Sequence, residues 1–219
     1  MNQPAPPAPD APTLILLRHG ETVGQSSIRL HGATDVALSA VGEQQAERAA
    51  AALAALPIAR ALCSPLQRAR KTAEIVLAAR TAAPPLEVVP DFREVNFGAW
   101  EGWTYAEAET RDPANFQRWR SEGTTFEYPG GEPRASFRAR VHAAARQQLG
   151  TPTAGLTLAV LHKGVIKAVI AALTGRSPAE LAELPVWLGS LHHLRWHADT
   201  WQLITSNATD HLGELDLRC

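Results

Sequence analysis

The chain has 219 residues, of which 45% are hydrophobic and 20% charged, a composition typical of a globular protein with one sizeable core. Its formal net charge of −1 gives no basic excess that would favour nucleic acid or an anionic membrane surface. The sequence also lacks the roughly 18 consecutive apolar residues that a membrane-spanning helix needs. Any anion must therefore be bound by a local cluster of cations.

The first twelve residues are rich in Pro and Ala, and we expect residues 1–12 to form a disordered leader. They lack the basic start and apolar run of a signal peptide. Cys63 and Cys219 are too few for a disulfide framework or a zinc site, and Cys63 is best explained as a small buried apolar residue. We therefore expect a cytoplasmic protein with a single domain over residues 13–219.

From the N-terminus, the apolar run "TLILL" at 13–17 predicts a buried strand, and a long polar loop follows to about Leu38. A helix is predicted over 38–56, capped by Ser39. A second strand at 59–64 leads into a helix over 65–80, with Pro65 in its first turn. A third strand is predicted at 86–89.

Residues 90–133 are rich in aromatic residues, Gly and acids, and we expect a cap-like excursion over the edge of the sheet. Their aromatic side chains either form a small satellite core or stack on a substrate: Trp100, Trp103, Tyr105, Phe116 and Trp119. A helix over 132–150, a strand over 156–162 and a helix over 163–175 follow. Strands at 191–196 and 201–206 close the chain. This alternation predicts a three-layer α/β/α sandwich around a mostly parallel sheet.

Two of the predicted strands end in histidine, at His19 and His162. In open α/β sheets, ligands bind beyond the carboxyl ends of the strands. A single histidine at a strand end is usually structural, but two at the same topological position predict a shared pocket. Arg18, at the end of an apolar run, needs a buried partner there.

Two further arginines suit an anion. Arg29 lies in the long loop, and Arg68 lies in the first turn of the helix after the second strand. A guanidinium group offers a fixed charge and a planar fork of donors that matches phosphate oxygens. A helix N-terminus adds backbone N–H groups and a favourable partial charge. These residues predict a phosphate site.

Several motifs occur together in one order along the chain: "LLRHGET" at 16–22, "RLHGATDVALSAVGEQQA" at 29–46, "SPLQRARKTA" at 64–73, "REVNFGAWEG" at 93–102, "PGGE" at 129–132 and "VLHKG" at 160–164. In this set the chain resembles the histidine phosphatase superfamily, also called the phosphoglycerate mutase-like family. The resemblance extends over nearly the whole chain after the leader. It implies a phosphoglycerate mutase-like fold and phosphoryl transfer. The histidines are not spaced like metal ligands on one helix and carboxylates do not cluster with them, so we expect no metal or cofactor.

The resemblance also implies roles for individual residues. His19 matches the nucleophile that becomes phosphohistidine, and Arg18, Arg68 and His162 match the rest of the phosphate pocket. Arg29 matches an arginine at the pocket rim. Glu94 matches the general acid and base.

This assignment agrees with the chemistry of phosphoryl transfer, which consists mostly of positioning and charge stabilisation. Adjacent guanidinium groups lower the pKa of an imidazole and keep its lone pair available. A positioned carboxylic acid then protonates the leaving oxygen. For Glu94 the alternative is a structural salt bridge to Arg93.

Two positions depart from the family pattern. Gln25 stands where members commonly carry an Asn that contacts the phosphoryl group, and Lys163 stands where many have Gly. Gln25, Thr22 and Lys163 are therefore candidate substrate contacts, or else residues of the loop and surface. We treat the six other histidines as surface or structural: His31, His142, His192, His193, His197 and His211.

The expected activity is hydrolysis of a small phosphomonoester by a monomer or homodimer, without nucleic acid or membrane. The alternatives are a phosphoglycerate mutase and a non-catalytic scaffold, and the complete catalytic set argues against the scaffold. A mutase needs cations for a second phosphate and a carboxylate. Residues 96–131 are short and carry only Arg111, Arg118 and Arg120 as bases, which favours hydrolysis.

Overall fold

A six-stranded sheet forms the middle of the part of the chain that the computed structural model describes, residues 11–216. The strand order is β3–β2–β4–β1–β5–β6, where the strands are β1 (Thr13–Arg18), β2 (Ile58–Cys63), β3 (Leu86–Val88), β4 (Leu156–Leu161), β5 (Leu191–His197) and β6 (Thr200–Ala208). The first four strands in this order are parallel to one another. β5 is antiparallel to its neighbour β1, and β6 is antiparallel to β5. The prediction of a mostly parallel sheet is confirmed.

Helices cover both faces of the sheet. The side chains of a strand alternate between the two faces, and the central strands β1 and β4 are apolar over most of their length, so both faces must be buried. Leu14 and Leu16 of β1 join the core that contains α5 (Arg134–Leu149) and α6 (Lys163–Thr174). Ile15 and Leu17 join the core that contains α1 (Ala40–Leu53) and α2 (Gln67–Ala78). These two cores give the predicted three-layer sandwich.

The pairing of β1 with β4 brings the two strand ends together. Arg18 lies opposite Leu161 in this parallel pair, and the backbone N–H of His19 donates to the carbonyl of Leu161 at 3.0 Å. The residues that follow the two strands are thus neighbours at one edge of the sheet. One of them, His162, is the N-cap residue of α6 and not the last residue of the strand.

Most predicted boundaries hold to within a few residues, but the placement of Pro65 in the first turn of a helix is wrong. α2 begins at Gln67, and Pro65 lies in the turn before it. Side chains elsewhere hold the first donors of this helix, since the N–H of Leu66 donates to Ser64 Oγ and that of Gln67 to Asp35 Oδ1. The predicted Ser39 cap of α1 is confirmed, as its side chain accepts from the N–H of Gly42.

The excursion after β3 contains α3 (Tyr105–Arg111), α4 (Pro113–Glu122) and short 3-10 helices at Pro90–Phe92, Gly98–Trp100 and Gly123–Thr125. Trp100 is fully buried in a satellite core with Phe116, Phe126 and Tyr128. A further 3-10 helix, Asp210–Leu215, follows β6. The satellite-core interpretation is confirmed for Trp100 and Phe116.

The predicted leader falls mostly outside the described residues, as does Cys219. At the end of that leader, the carbonyl of Pro12 accepts a hydrogen bond from the N–H of Trp196. Among the described helices, none is both long and apolar enough to cross a membrane.

Candidate active site

The two strand-end histidines lie against each other. The ring centroids of His19 and His162 are 5.0 Å apart in an edge-on arrangement, and both side chains are buried. His162 Nε2 is 2.7 Å from Ser64 Oγ, at the end of β2. Three adjacent parallel strands therefore contribute to one cluster beyond their carboxyl ends, as expected for an open α/β sheet.

A single hydrogen bond fixes the tautomer of His19. Its Nδ1 is 2.7 Å from the carbonyl oxygen of Gly20. Because a carbonyl can only accept a hydrogen bond, Nδ1 carries the proton. In the neutral imidazole, Nε2 then holds the lone pair and is the nucleophilic atom.

Burial and charge together keep both imidazoles neutral. Burial has the largest effect and lowers the pKa of His19 well below its ordinary value of 6.5, and the Arg68 and Arg18 guanidinium groups lower it further. Burial and Arg68 also lower the pKa of His162 well below 6.5. From the two arginines, the sequence correctly predicted that the pKa of His19 is lowered, but burial is the larger cause.

Two buried arginines place fixed positive charge beside His19. Arg68 is completely buried, and burial lowers its pKa to about 10, so its guanidinium group is still charged at neutral pH. Its Nη atoms donate to the carbonyls of loop residues 31, 32 and 34. Arg18 is 6% exposed and donates through Nη1 to the carbonyl of Val186 at 2.7 Å.

Glu101 holds the loop that supports Arg68. Its carboxylate accepts from the N–H groups of Gly32, Ala33 and Thr34, at 3.1, 2.9 and 3.3 Å, and from the Thr34 hydroxyl at 2.6 Å. The same loop thus presents its N–H groups to Glu101 and its carbonyls to Arg68. Gly32 is needed here, since a Cβ would lie 1.8 Å from the carbonyl oxygen of Val95.

Glu94 is held at the N-terminus of α6. Its Oε2 accepts from the N–H of Gly164 at 2.8 Å, and its Oε1 from the N–H of Val95 at 2.9 Å. Within the described residues, the ion pairs of Arg93 are with Asp91 and Glu132, both at 4.0 Å. The alternative of a structural salt bridge between Glu94 and Arg93 is wrong.

A cavity of about 980 Å³ opens in front of this cluster. Arg18, His19 and Glu94 line it, whereas Arg68 and His162 are fully buried and are not part of its lining. Its other walls come from the loop after β1, from the excursion, and from α5 and α6. A nucleophilic imidazole, a carboxyl group and fixed cations thus border one space large enough for a small metabolite.

Comparisons with known proteins assign this chain to a protein family. The profile of the histidine phosphatase superfamily (branch 1) matches residues 14–209. This chain belongs to that superfamily. It is 37% identical over 187 residues to a bifunctional protein of Mycobacterium tuberculosis, a match that covers 85% of this chain and 50% of the relative. The chain thus spans about half the length of that relative.

Two further members match over most of both chains. The glucosyl-3-phosphoglycerate phosphatase of Mycolicibacterium vanbaalenii is 30% identical, with 90% of this chain and 97% of the relative covered. The crystal structure of a putative α-ribazole-5′-phosphate phosphatase from Escherichia coli superposes with a TM-score of 0.80 at 28% identity. That match covers 91% of this chain and 97% of the other.

In this chain, two of the predicted substrate contacts, Thr22 and Gln25, lie outside the cavity lining. The hydroxyl of Thr22 is 2.8 Å from Ser26 Oγ and also accepts from the N–H of Ser26. Gln25 is exposed in a turn with a φ of 60°. Ser26 and Ser27 line the cavity instead. The turn reverses the chain after Thr22, a geometry that residue spacing alone does not reveal.

The other candidates border the cavity. Arg29 lines it, donates to the carbonyl of Gly102 and forms an ion pair with Glu107 at 2.7 Å. Lys163, the first residue of α6, also lines it. In the excursion, Tyr105 and Trp119 line the cavity and stack with ring centroids 4.5 Å apart. Trp119 also packs against the satellite core, whereas Tyr105 is not part of it.

Sequence reasoning missed several residues of the cavity. His31 and His142, treated as surface or structural, both line it, and so do Arg134, Arg138 and Lys167. For the three residues of α5, the signal was present in the sequence: residues 134, 138 and 142 are spaced four apart and therefore share one face of the helix. His192 of β5 is fully buried, and burial lowers its pKa to about 4, with a smaller effect from Arg18.

The described residues contain no group of three or more His, Cys, Asp or Glu side chains that could hold a metal ion. The polar groups of the site instead suit an oxyanion, because cations and N–H donors dominate them.

Proposed function

We propose that this chain is a phosphomonoesterase that hydrolyses a small phosphorylated metabolite through a phosphohistidine on His19. The observation that carries this proposal is the short contact between His19 Nδ1 and the carbonyl of Gly20, from which the tautomer of His19 follows. Its Nδ1–H donates a hydrogen bond to the carbonyl of Gly20, so the Nε2 lone pair is available beside two guanidinium groups. A neutral nucleophile next to fixed positive charge is what attack on an anionic phosphoryl group requires.

In the first step, Nε2 of His19 attacks phosphorus and the ester P–O bond breaks. Glu94, protonated at this stage, gives its proton to the departing alkoxide, so that an alcohol leaves. In the second step, Glu94 as carboxylate takes a proton from water while the water oxygen attacks the phosphoryl group. The N–P bond breaks, inorganic phosphate leaves, and both residues return to their starting state.

The arginines stabilise the charge on the transferred phosphoryl group. The Nε of Arg68 is buried and has no hydrogen-bond partner among the described residues. Since an unsatisfied buried donor is costly, we propose that a phosphate oxygen reaches this Nε on binding, although Arg68 lies behind the cavity lining. Arg18 contributes a second guanidinium group at the cavity wall.

Hydrolysis is supported by two relatives, a glucosyl-3-phosphoglycerate phosphatase and a putative α-ribazole-5′-phosphate phosphatase. The argument from few cations in residues 96–131 does not support it. Of the three bases there only Arg120 lines the cavity, but α5 and α6 add four more: Arg134, Arg138, Lys163 and Lys167. A phosphoglycerate mutase is therefore the second candidate, favoured by this cationic wall.

Product analysis tests the proposal. A panel of phosphomonoesters should release inorganic phosphate with the parent protein and with His197→Ala, a control on an exposed strand-end histidine. His19→Ala should release none above background. Incubation with 3-phosphoglycerate and a trace of 2,3-bisphosphoglycerate separates the second candidate. Rapid formation of 2-phosphoglycerate, with negligible free phosphate from any ester, would establish the mutase instead.

A further inference from the structure

The cavity has a strong excess of positive charge that the phosphate pocket does not account for. Among its lining residues in the described chain are seven Lys or Arg and two Glu, although the whole chain has a formal net charge of −1. Arg18 belongs to the phosphate pocket, and Arg29 is paired with Glu107. Most of the remaining cations lie on one wall, formed by α5 and α6.

On α6, two lysines four residues apart both line the cavity. A like-charged pair at this spacing destabilises a helix unless an anion offsets it. Lys167 is half-buried and donates one hydrogen bond, to the carbonyl of Ala182 at 2.5 Å. An ammonium group has three N–H donors, so two are left for a ligand. Burial, and to a lesser extent Lys163, lowers the pKa of Lys167 to about 8.

On α5, Arg138 is half-buried on the same wall. Among the described residues it forms no ion pair and no side-chain hydrogen bond, in contrast to Arg140, which is fully engaged with Glu132 and with main-chain carbonyls. Phe137 and Val141 of α5 share one buried core with Val165 and Val169 of α6, and this core holds the two helices together. A partly buried guanidinium group without a partner is a good site for a carboxylate or phosphate.

This wall is separate from the phosphate pocket. Lys167 lies five residues after His162, which is ~7 Å along the helix axis. The hydrogen bond to the carbonyl of Ala182 also fixes the ammonium group of Lys167, so we assign it a binding position of its own.

We propose that the substrate carries a second anionic group, a carboxylate or a second phosphate, which binds Lys167 and Arg138 while the transferred phosphoryl group binds at His19. This inference rests on the proposed phosphomonoesterase function and names its substrate class. Two partly buried cations that face a cavity contribute most to binding when an anion displaces the water around them. The second anion would thus select the substrate and set its orientation.

Matched pairs of esters test this inference. 3-Phosphoglycerate and glycerol 3-phosphate differ by a carboxylate, and fructose 1,6-bisphosphate and fructose 6-phosphate differ by a phosphate. In at least one pair, we expect the parent to have a kcat/KM about tenfold or more higher for the doubly anionic ester, as for a hydrogen bond between charged groups. Lys167→Met and Arg138→Gln should each reduce that preference several-fold. Arg146→Gln, an exposed position on α5, should leave it unchanged.

The outcomes are distinguishable. Phosphate release from all four esters with equal kcat/KM, or a preference that survives both substitutions, would overturn the second-anion inference and leave the proposed function standing. No phosphate from any ester, including p-nitrophenyl phosphate, would overturn both. Thermal unfolding of each variant shows whether it is folded, and the two variants test the wall from different helices.

Discussion

At His19, the backbone and the charged side chains act on the same atom. The carbonyl of Gly20 holds the proton on Nδ1, while burial and the arginines keep Nε2 unprotonated. The depressed pKa means that the reactive neutral form persists as pH falls below 6.5, the ordinary pKa of histidine. Activity that depends on this lone pair should therefore extend into mildly acidic solution.

Glu94 gives the sharpest prediction for a single side chain. Glu94→Gln keeps the size of the residue but removes its proton-donating carboxyl group. We expect kcat for alkyl phosphates to fall by about 10²–10⁴-fold, because a poor leaving group needs that proton. The first step with p-nitrophenyl phosphate should be much less affected, since p-nitrophenolate leaves without protonation. Equal losses in the rates of both first steps, measured by rapid quench, would make the role of Glu94 electrostatic or structural.

Among helices, α6 has the most direct connection to the chemistry. Its N-terminal turn follows His162 and binds the Glu94 carboxylate through the N–H of Gly164. A Cβ on Gly164 would lie 2.6 Å from Glu94 Oε1. The glycine therefore leaves the space in which the acid sits.

Gly164→Ala should separate activity from stability. Ala is favoured over Gly inside a helix by about 1 kcal/mol, so the helix itself is not weakened. The added methyl group should displace the carboxylate and reduce turnover of alkyl phosphates, with a smaller effect on p-nitrophenyl phosphate. Steady-state kinetics and urea unfolding on the same preparation check both parts. Wild-type turnover of alkyl phosphates would mean that the position of Glu94 does not depend on Gly164.

Local sequence predicted well the features that depend on one strand or one turn. The apolar run of β1 predicted a strand of the sheet, and the two strand-end histidines were correctly expected to lie together, because parallel strands bring their carboxyl ends to one edge. The cavity wall of α5 and α6 was missed, since which face of a helix borders a cavity depends on packing between distant segments. The sequence left Gln25 open between a substrate contact and a loop residue, because its position depends on a turn with positive φ.

Over the whole molecule, buried neutral histidines couple folding to pH. Burial is the largest cause of the lowered pKa of His19, His162 and His192 in the folded state. Below about pH 6.5 the unfolded chain binds more protons than the folded one, so the free energy of unfolding decreases as pH falls. Each such histidine contributes about 1.4 kcal/mol per pH unit between its folded and unfolded pKa values.

His192 offers a test of this coupling because it is fully buried and does not line the cavity. His192→Gln should be less stable than the parent at pH 7.5 but should lose less stability between pH 6.5 and pH 4.5, since the pKa of His192 is about 4. Urea titrations at several pH values measure both slopes. His197→Ala, at an exposed position, should keep the slope of the parent. An unchanged slope in His192→Gln would contradict the coupling.

The covalent state of His19 during turnover tests the central claim most directly. A rapid-quench experiment with a radiolabelled phosphomonoester should trap label on the protein that is stable in alkali and labile in acid, as expected of a phosphoramidate. Peptide mapping should place it on His19, with formation and decay fast enough to account for kcat. No label on the parent during turnover, or the same label on His19→Ala, would contradict the proposed phosphohistidine mechanism.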